Sequence, residues 1–176
     1  MVIWLVGLSG AGKSTIAKAL YTELKQLRQH TVLIDGDEIR ELFKHDQTAG
    51  AYSLEGRRLN AERIQALCRW LDRQKIDVVC SMLCVFPHLS EQNRKDFSKY
   101  KEIFVDVPIQ KLIERDNKGL YKACLSGETK NVVGIDIPYT APENPDLVIR
   151  NRYDEEDMPM FLNEIMQLIS EDADEV

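Results

Sequence analysis

Long hydrophobic runs are missing from this chain: no stretch approaches the roughly 20 consecutive apolar residues of a membrane span, so no membrane partner is expected. A surplus of positive charge is missing as well. With 23 Lys and Arg against 29 Asp and Glu the formal net charge is −6, which excludes a generic nucleic-acid binder, whose phosphate contacts need a basic surface. A small anionic molecule stays open, because a local basic cluster suffices for it. Cysteine is sparse: Cys68, Cys80, Cys84 and Cys124 lack zinc-like pairing and read as buried or free thiols. There is no internal repeat, no low-complexity linker and no composition break. The first strand carries no basic leader or cleavage pattern, and a cytoplasmic location is expected. At 176 residues, 44% hydrophobic and 30% charged, the chain is expected to form a single domain over residues 1–176.

What is present begins at the amino end. An apolar run, Val2-Ile3-Trp4-Leu5-Val6, leads into Gly7-Leu8-Ser9-Gly10-Ala11-Gly12-Lys13-Ser14-Thr15, and a helix-patterned stretch follows. The spacing G-x-x-x-x-G-K-[ST] is met by Gly7, Gly12, Lys13 and Ser14 in the strand-then-helix context that gives it meaning. The glycines let the backbone turn tightly, so that successive N–H groups and the next helix start point at phosphate oxygens. Lys13 is placed to neutralise the β and γ phosphates of a nucleoside triphosphate, and the Ser14 hydroxyl to join the shell of a Mg²⁺ bridging them.

The rest of the chain alternates strand and helix. Residues 13 to 29 read as a helix with Ile16, Ala19, Leu20, Leu24 and Leu27 on its apolar face, and Thr31-Val32-Leu33-Ile34 as the second strand. A short helix is expected around residues 38 to 44 and a long one over about 54 to 74, carrying Leu59, Ile64, Leu67, Trp70 and Leu71. Further strands are expected at residues 76 to 82, 102 to 106 and 147 to 149, then a last helix over about 157 to 171 with Phe161, Leu162, Ile165, Leu168 and Ile169 inward. This rhythm predicts an α/β protein: a five-stranded parallel sheet with helices on both faces. The closing Glu171-Asp172-Ala173-Asp174-Glu175 reads as a solvated, frayed end, and His30 and His45 as surface residues without a role.

Ligands of parallel sheets collect beyond the carboxyl ends of the strands. Asp35 and Asp37 stand at the end of the second strand, where two carboxylates can orient Mg²⁺ and accept a proton from an attacking hydroxyl. Asp37 is assigned the base role and Asp35 the metal side, with Ser14 as the other metal-side residue; Asp35-Gly36-Asp37 would equally serve as a turn capping the next helix. Ser81 ends the third strand and can face substrate or satisfy backbone. From residue 109 onward Lys111, Arg115, Lys118, Lys122 and Lys130 lie among Gly119, Gly127, Gly134, Pro138, Pro142 and Pro145. A basic, hinge-punctuated segment over about 117–145 fits a lid that closes over phosphates, against the plainer reading of a solvated loop.

Several of these segments together resemble the adenylyl-sulfate kinase family: the phosphate loop, Asp35-Gly36-Asp37-Glu38-Ile39-Arg40, Arg115-Asp116-Asn117-Lys118-Gly119-Leu120-Tyr121-Lys122, and Gly134-Ile135-Asp136-Ile137-Pro138-Tyr139-Thr140-Ala141-Pro142-Glu143-Asn144-Pro145. The similarity spans nearly the whole chain. It implies a three-layer P-loop kinase fold, a homodimer, and transfer of the γ-phosphoryl group of ATP, with Mg²⁺, to the ribose 3′-hydroxyl of a nucleotide-like acceptor, adenylyl sulfate in the first place. By that resemblance the donor is held by Gly7, Ser9, Gly10, Ala11, Gly12, Lys13, Ser14 and Thr15, with Arg115 near its base or ribose. Arg40, Tyr52, Arg57 and Asn60 hold the acceptor, with Ser81 beside it and Arg63 behind, while Lys118, Gly119, Leu120, Tyr121 and Lys130 line the closing segment.

The departures concern the acceptor. Cys84-Val85-Phe86-Pro87 stands where the family commonly has Ser-Pro-aromatic-Arg, so one acceptor-side arginine is missing, with His88 at most a partial stand-in. Val132 stands where a second aromatic would complete a sandwich around adenine, and base stacking contributes roughly 1–3 kcal/mol per base. A sibling activity on cytidine diphosphoramidate is the alternative. A nucleotide switch without phosphate transfer would be signalled by loss of Lys13, Ser14 or the paired carboxylates, and all are present.

Overall fold

Alternate residues of Val2–Val6 face opposite ways, and both sets are buried: Ile3 and Leu5 on one side, Val2, Trp4 and Val6 on the other. A strand apolar on both faces has to lie in the middle of a covered sheet, and the computed structural model, which describes residues 1–154 and 157–171, places it there. The strands are β1 Val2–Val6, β2 Thr31–Asp35, β3 Asp77–Ser81, β4 Tyr100–Asp106 and β5 Leu147–Arg150. They run parallel in the order β2-β3-β1-β4-β5. The helices are α1 Lys13–Leu27, α2 Gly36–Leu42, α3 Leu54–Arg73, α4 Pro87–Asp96, α5 Ile109–Arg115, α6 Leu120–Leu125 and α7 Asp157–Glu171.

Two cores result, one per sheet face. Ile16, Leu20 and Leu24 of α1 join Leu112 of α5 and Phe161 and Ile165 of α7 on one side. Ile39 of α2, Ala61, Ile64 and Cys68 of α3 and Leu89 of α4 cover the other. This is the expected three-layer α/β arrangement, and among the described residues no helix is long and apolar enough to cross a membrane. The acidic run after Glu171 lies outside the described residues.

Several expectations need correction. Leu27 and Trp70 are 71% and 61% exposed, so neither belongs to its helix's buried face. On α3 the inward stripe instead contains Asn60, Gln65 and Asp72, polar residues that find partners: Gln65 Nε2 donates to Asn93 Oδ1 at 2.8 Å, and Asp72 accepts from the Ser98 amide and hydroxyl. His45 is buried rather than on the surface, in a 3₁₀ turn, with Nε2 3.0 Å from the Gly56 carbonyl oxygen. The segment 117–145 is not a plain loop. It contains α6, and Val132, Val133 and Ile137 are buried in the core of the α1 face, so it is packed onto the domain.

These burials make a direct test by chemical denaturation. Leu20→Ala is expected to cost about 3 kcal/mol of stability, from lost transfer energy and the cavity left behind. Trp70→Ala should stay within about 0.5 kcal/mol, as expected at an exposed position; comparable losses at both would contradict the assigned faces.

Candidate active site

The loop after β1 emerges at the carboxyl end of the central strand, between the ends of β3 and β4. Gly7 is required there by contact: a Cβ would lie 2.5 Å from the Val105 carbonyl oxygen. Gly12 has φ of 99°, and a Cβ on it would meet Asn151 Nδ2 at 2.5 Å. Gly12 precedes α1 without a capping side chain, which leaves the first-turn amides of the helix to an anion.

Lys13 is buried at the loop's centre, and its Nζ donates to the Leu8 carbonyl oxygen at 2.8 Å. Burial pulls its pKa down to about 8, against the opposing pull of Asp37 and Asp35. Beside it, Asp35 ties three elements together. Its Oδ2 accepts from Ser14 Oγ at 2.6 Å and from Ser81 Oγ at 3.1 Å, while Oδ1 accepts from the Asp37 amide at 2.9 Å and so caps α2. Burial alone would raise this carboxyl; the hydrogen bonds from Ser14, the Asp37 amide and Ser81 outweigh it and hold the pKa below the ordinary value. The turn-and-cap reading of Asp35-Gly36-Asp37 therefore holds together with a place in the site. Ser81 faces Asp35, which its strand register dictates.

Asp37 differs from Asp35 in every respect that matters. Its side chain is 70% exposed, and its Oδ2 lies 3.2 Å from Lys118 Nζ. Both carboxylates line one cavity of about 600 Å³ with Lys13, Ser14 and Thr15 on one side and Arg40, Tyr52, Arg57 and Asn60 on the other. Arg40 and Arg57 stack on Tyr52, with guanidinium carbons 4.7 and 5.8 Å from the ring centroid. Arg40 donates to the Ala51 carbonyl and Arg57 to those of Tyr52 and Asn131, which fixes both guanidinium groups. In this wall Arg40 Nε and Asn60 Oδ1 are buried and have no hydrogen-bond partner among the described residues. An unsatisfied polar atom costs free energy that a polar ligand would recover.

From the segment 117–145, Lys118, Leu120, Lys130 and Val132 line this cavity. Tyr121 does not; it is buried, and its hydroxyl donates to the Ser9 carbonyl at 2.8 Å, holding the phosphate loop. Gly119 supplies the left-handed residue, φ 65°, before α6. Arg115 stands outside the cavity with its guanidinium carbon 3.5 Å from the Tyr153 ring centroid. Cys84, Phe86 and Pro87 line a separate, smaller cavity of about 240 Å³ together with Trp4, Glu102 and Tyr139, and His88 is absent from the lining of the larger one. Two contributors escaped the sequence reading: Asn151, whose Nδ2 donates to the Ala11 carbonyl at 2.9 Å, and Tyr153, whose hydroxyl donates to the Gly10 carbonyl at 3.0 Å. The signal was available, since both stand just past the carboxyl end of β5, as Asp35 stands at the carboxyl end of β2.

Comparison with known proteins agrees with this geometry. The family model described as adenylylsulphate kinase matches residues 1–150. The chain is 40% identical over 150 residues to a cytidine diphosphoramidate kinase of Campylobacter jejuni, covering 85% of each. It is 38% identical over 149 residues to a probable adenylyl-sulfate kinase of Pseudomonas aeruginosa, covering 85% of this chain and 68% of that one. Among solved structures, the Mycobacterium tuberculosis APS kinase CysC in complex with AMPPNP and APS superposes with a TM-score of 0.81 at 28% identity, over 96% of both chains. A phosphate loop at the head of a five-stranded parallel sheet and these similarities lead to one assignment: the chain belongs to the adenylylsulphate kinase family, ATP-dependent phosphotransferases acting on a hydroxyl group.

Proposed function

We propose that this kinase transfers the γ-phosphoryl group of ATP to the ribose 3′-hydroxyl of a small anionic nucleotide, adenylyl sulfate in the main reading. The observation that carries it is the single cavity in which Asp37 stands between the phosphate loop and the Arg40, Tyr52 and Arg57 wall. Tyr52 offers a face for a base, and the two arginines offer charge for the acceptor's anionic tail. Asp37 accepts the proton of the 3′-hydroxyl as its oxygen bonds to the γ-phosphorus, the bond to the β-side oxygen breaks, and ADP leaves. Lys13 and the loop amides hold the phosphates in line, and Lys118 and Lys130 bring further positive charge from the closing segment.

Ser14 and Asp35 fit Mg²⁺: a hydroxyl and a carboxylate 2.6 Å apart, oxygen donors only, few enough to leave most of an octahedral shell to phosphates and water. When bound, the ion would neutralise charge between the β and γ phosphates. The four cysteines stand as free thiols, which supports a reducing, cytoplasmic setting. Exposed Leu42 of α2, Phe43 just after it and Leu54 of α3 supply apolar surface for a homodimer.

A second reading, cytidine diphosphoramidate as acceptor, is favoured by one feature: the cavity wall carries Val132 and a single aromatic, Tyr52. The kinase of Campylobacter jejuni named for that acceptor is 40% identical to this chain. Measuring turnover with each acceptor separates the two, and phosphorylation of neither would remove both.

The assigned roles predict distinct defects. Asp37→Ala should lower kcat at least about 100-fold with ATP affinity nearly unchanged, whereas Lys13→Ala should weaken ATP binding and turnover together. Steady-state kinetics beside calorimetric titration distinguishes the patterns, and normal turnover in either variant contradicts its role. The Lys13 pKa near 8 also sets a pH dependence. The ammonium is charged below that value and neutral above it, so calorimetric ATP affinity should be full near about pH 7 and about tenfold weaker near about pH 9, with proton uptake on binding at the higher pH.

A further inference from the structure

Between α2 and α3 the chain takes a polar ring inside and leaves its apolar neighbours out. Leu42 and Phe43 are 73% and 55% exposed, whereas His45 is 8% exposed. Hydrophobicity alone would choose the reverse, so the ring is held by its hydrogen bonds. Lys44 turns the chain for it at φ 53°, in the left-handed region where a side chain other than glycine is strained. The Gly56 carbonyl oxygen can only accept, so Nε2 carries the hydrogen and donates to it at 3.0 Å, while Nδ1 lies 3.2 Å from Thr48 Oγ1. From His45 the hydrogen bonds run on through the loop: the Thr48 amide donates to the His45 carbonyl oxygen at 3.1 Å, and the Ala51 amide to that of Thr48 at 3.2 Å.

The far end of the same loop rests on the same residue of α3. A Cβ on Gly56 would lie 2.3 and 2.5 Å from the carbonyl oxygens of Gly50 and Ala51, so the first turn of α3 packs directly on that backbone. The Ala51 carbonyl is the one to which Arg40 Nη1 donates at 2.6 Å, and the next residue is Tyr52, on whose ring Arg40 and Arg57 stack. Gly56 therefore takes His45 on its carbonyl and the support of Arg40 and Tyr52 against its Cα. His45 itself does not line the cavity that those residues line. We propose that His45 is a positioning residue: it clasps the loop to α3, fixes the Ala51 carbonyl and Tyr52, and through Arg40 sets the affinity for the nucleotide acceptor. This rests on the acceptor reading given above. The donor's phosphates are held by Lys13, Ser14 and Thr15 on the other side of the cavity, so their binding is not routed through the clasp.

Steady-state kinetics tests this with adenylyl sulfate or cytidine diphosphoramidate, whichever the wild type phosphorylates, beside calorimetric titration with ADP and Mg²⁺. His45→Phe, which keeps a ring and loses both nitrogens, should raise the acceptor KM about tenfold with kcat and ADP affinity within about twofold. His45→Gln, which keeps a donor, should recover most of the loss. In an Arg40→Ala background the same His45→Phe change should move the acceptor KM by less than about twofold, because its route is already cut. An unchanged KM in His45→Phe, the full effect persisting without Arg40, or an equal loss of ADP affinity overturns the proposal and leaves the kinase reading standing. A wild type that phosphorylates neither acceptor overturns the acceptor reading and this proposal with it. Imidazole NMR on the wild type needs no variant: coupling is reciprocal, so the His45 Nε2–H should exchange more slowly with ADP and acceptor than with ADP alone. Equal exchange in the two complexes overturns the positioning role.

Discussion

The site depends on one carboxylate. Asp35 accepts hydrogen bonds from the first turn of α1, the end of β3 and the start of α2, so the phosphate loop's helix, the neighbouring strand and the Asp37 backbone are registered to one another through it. Because those bonds favour the ionised form against burial, the same group that aligns the elements stays negative in the site. Lys13, buried with a carbonyl oxygen as its hydrogen-bond partner, is the complementary element: a cation at the cost of desolvation, suited to an anionic ligand.

The phosphate loop is also restrained from outside its own motif. Tyr121 holds the carbonyl of Ser9, Tyr153 that of Gly10 and Asn151 that of Ala11, each from an element far along the chain. With these carbonyls engaged, the first-turn amides of α1 are left free toward the cavity, which is what an anion site needs. Across the cavity, Arg40 and Arg57 are fixed by backbone carbonyls while stacked on Tyr52, so their charge is held in one place.

Legibility from the sequence followed the range of the interactions. All five strands and the long helices α1, α3 and α7 were readable, because alternation and helical spacing are written in consecutive residues. Helices α4 and α6 have no such local signature, since each is short and its packing is supplied by other elements. Trp70 and His45 were misplaced for a related reason. Hydrophobicity put the tryptophan inside and polarity put the histidine outside, whereas burial was settled by which neighbours arrived: Asp72 took an inward place once Ser98 could pair with it, and His45 once the Gly56 carbonyl was in reach.

What the sequence determined by itself is the anion cradle and its carboxylate pair, because glycine spacing, a lysine at a helix start and an aspartate ending a strand act within a few residues of one another. What only the tertiary structure decided is who guards that cradle and what lines its far wall. Asn151 and Tyr153 reach it from 140 and 143 residues away, and Val132 and Tyr52 line one cavity only because the segment 117–145 packs onto the core. Contacts at that separation leave no local spacing to read; they exist only once the sheet has brought the ends of its strands together.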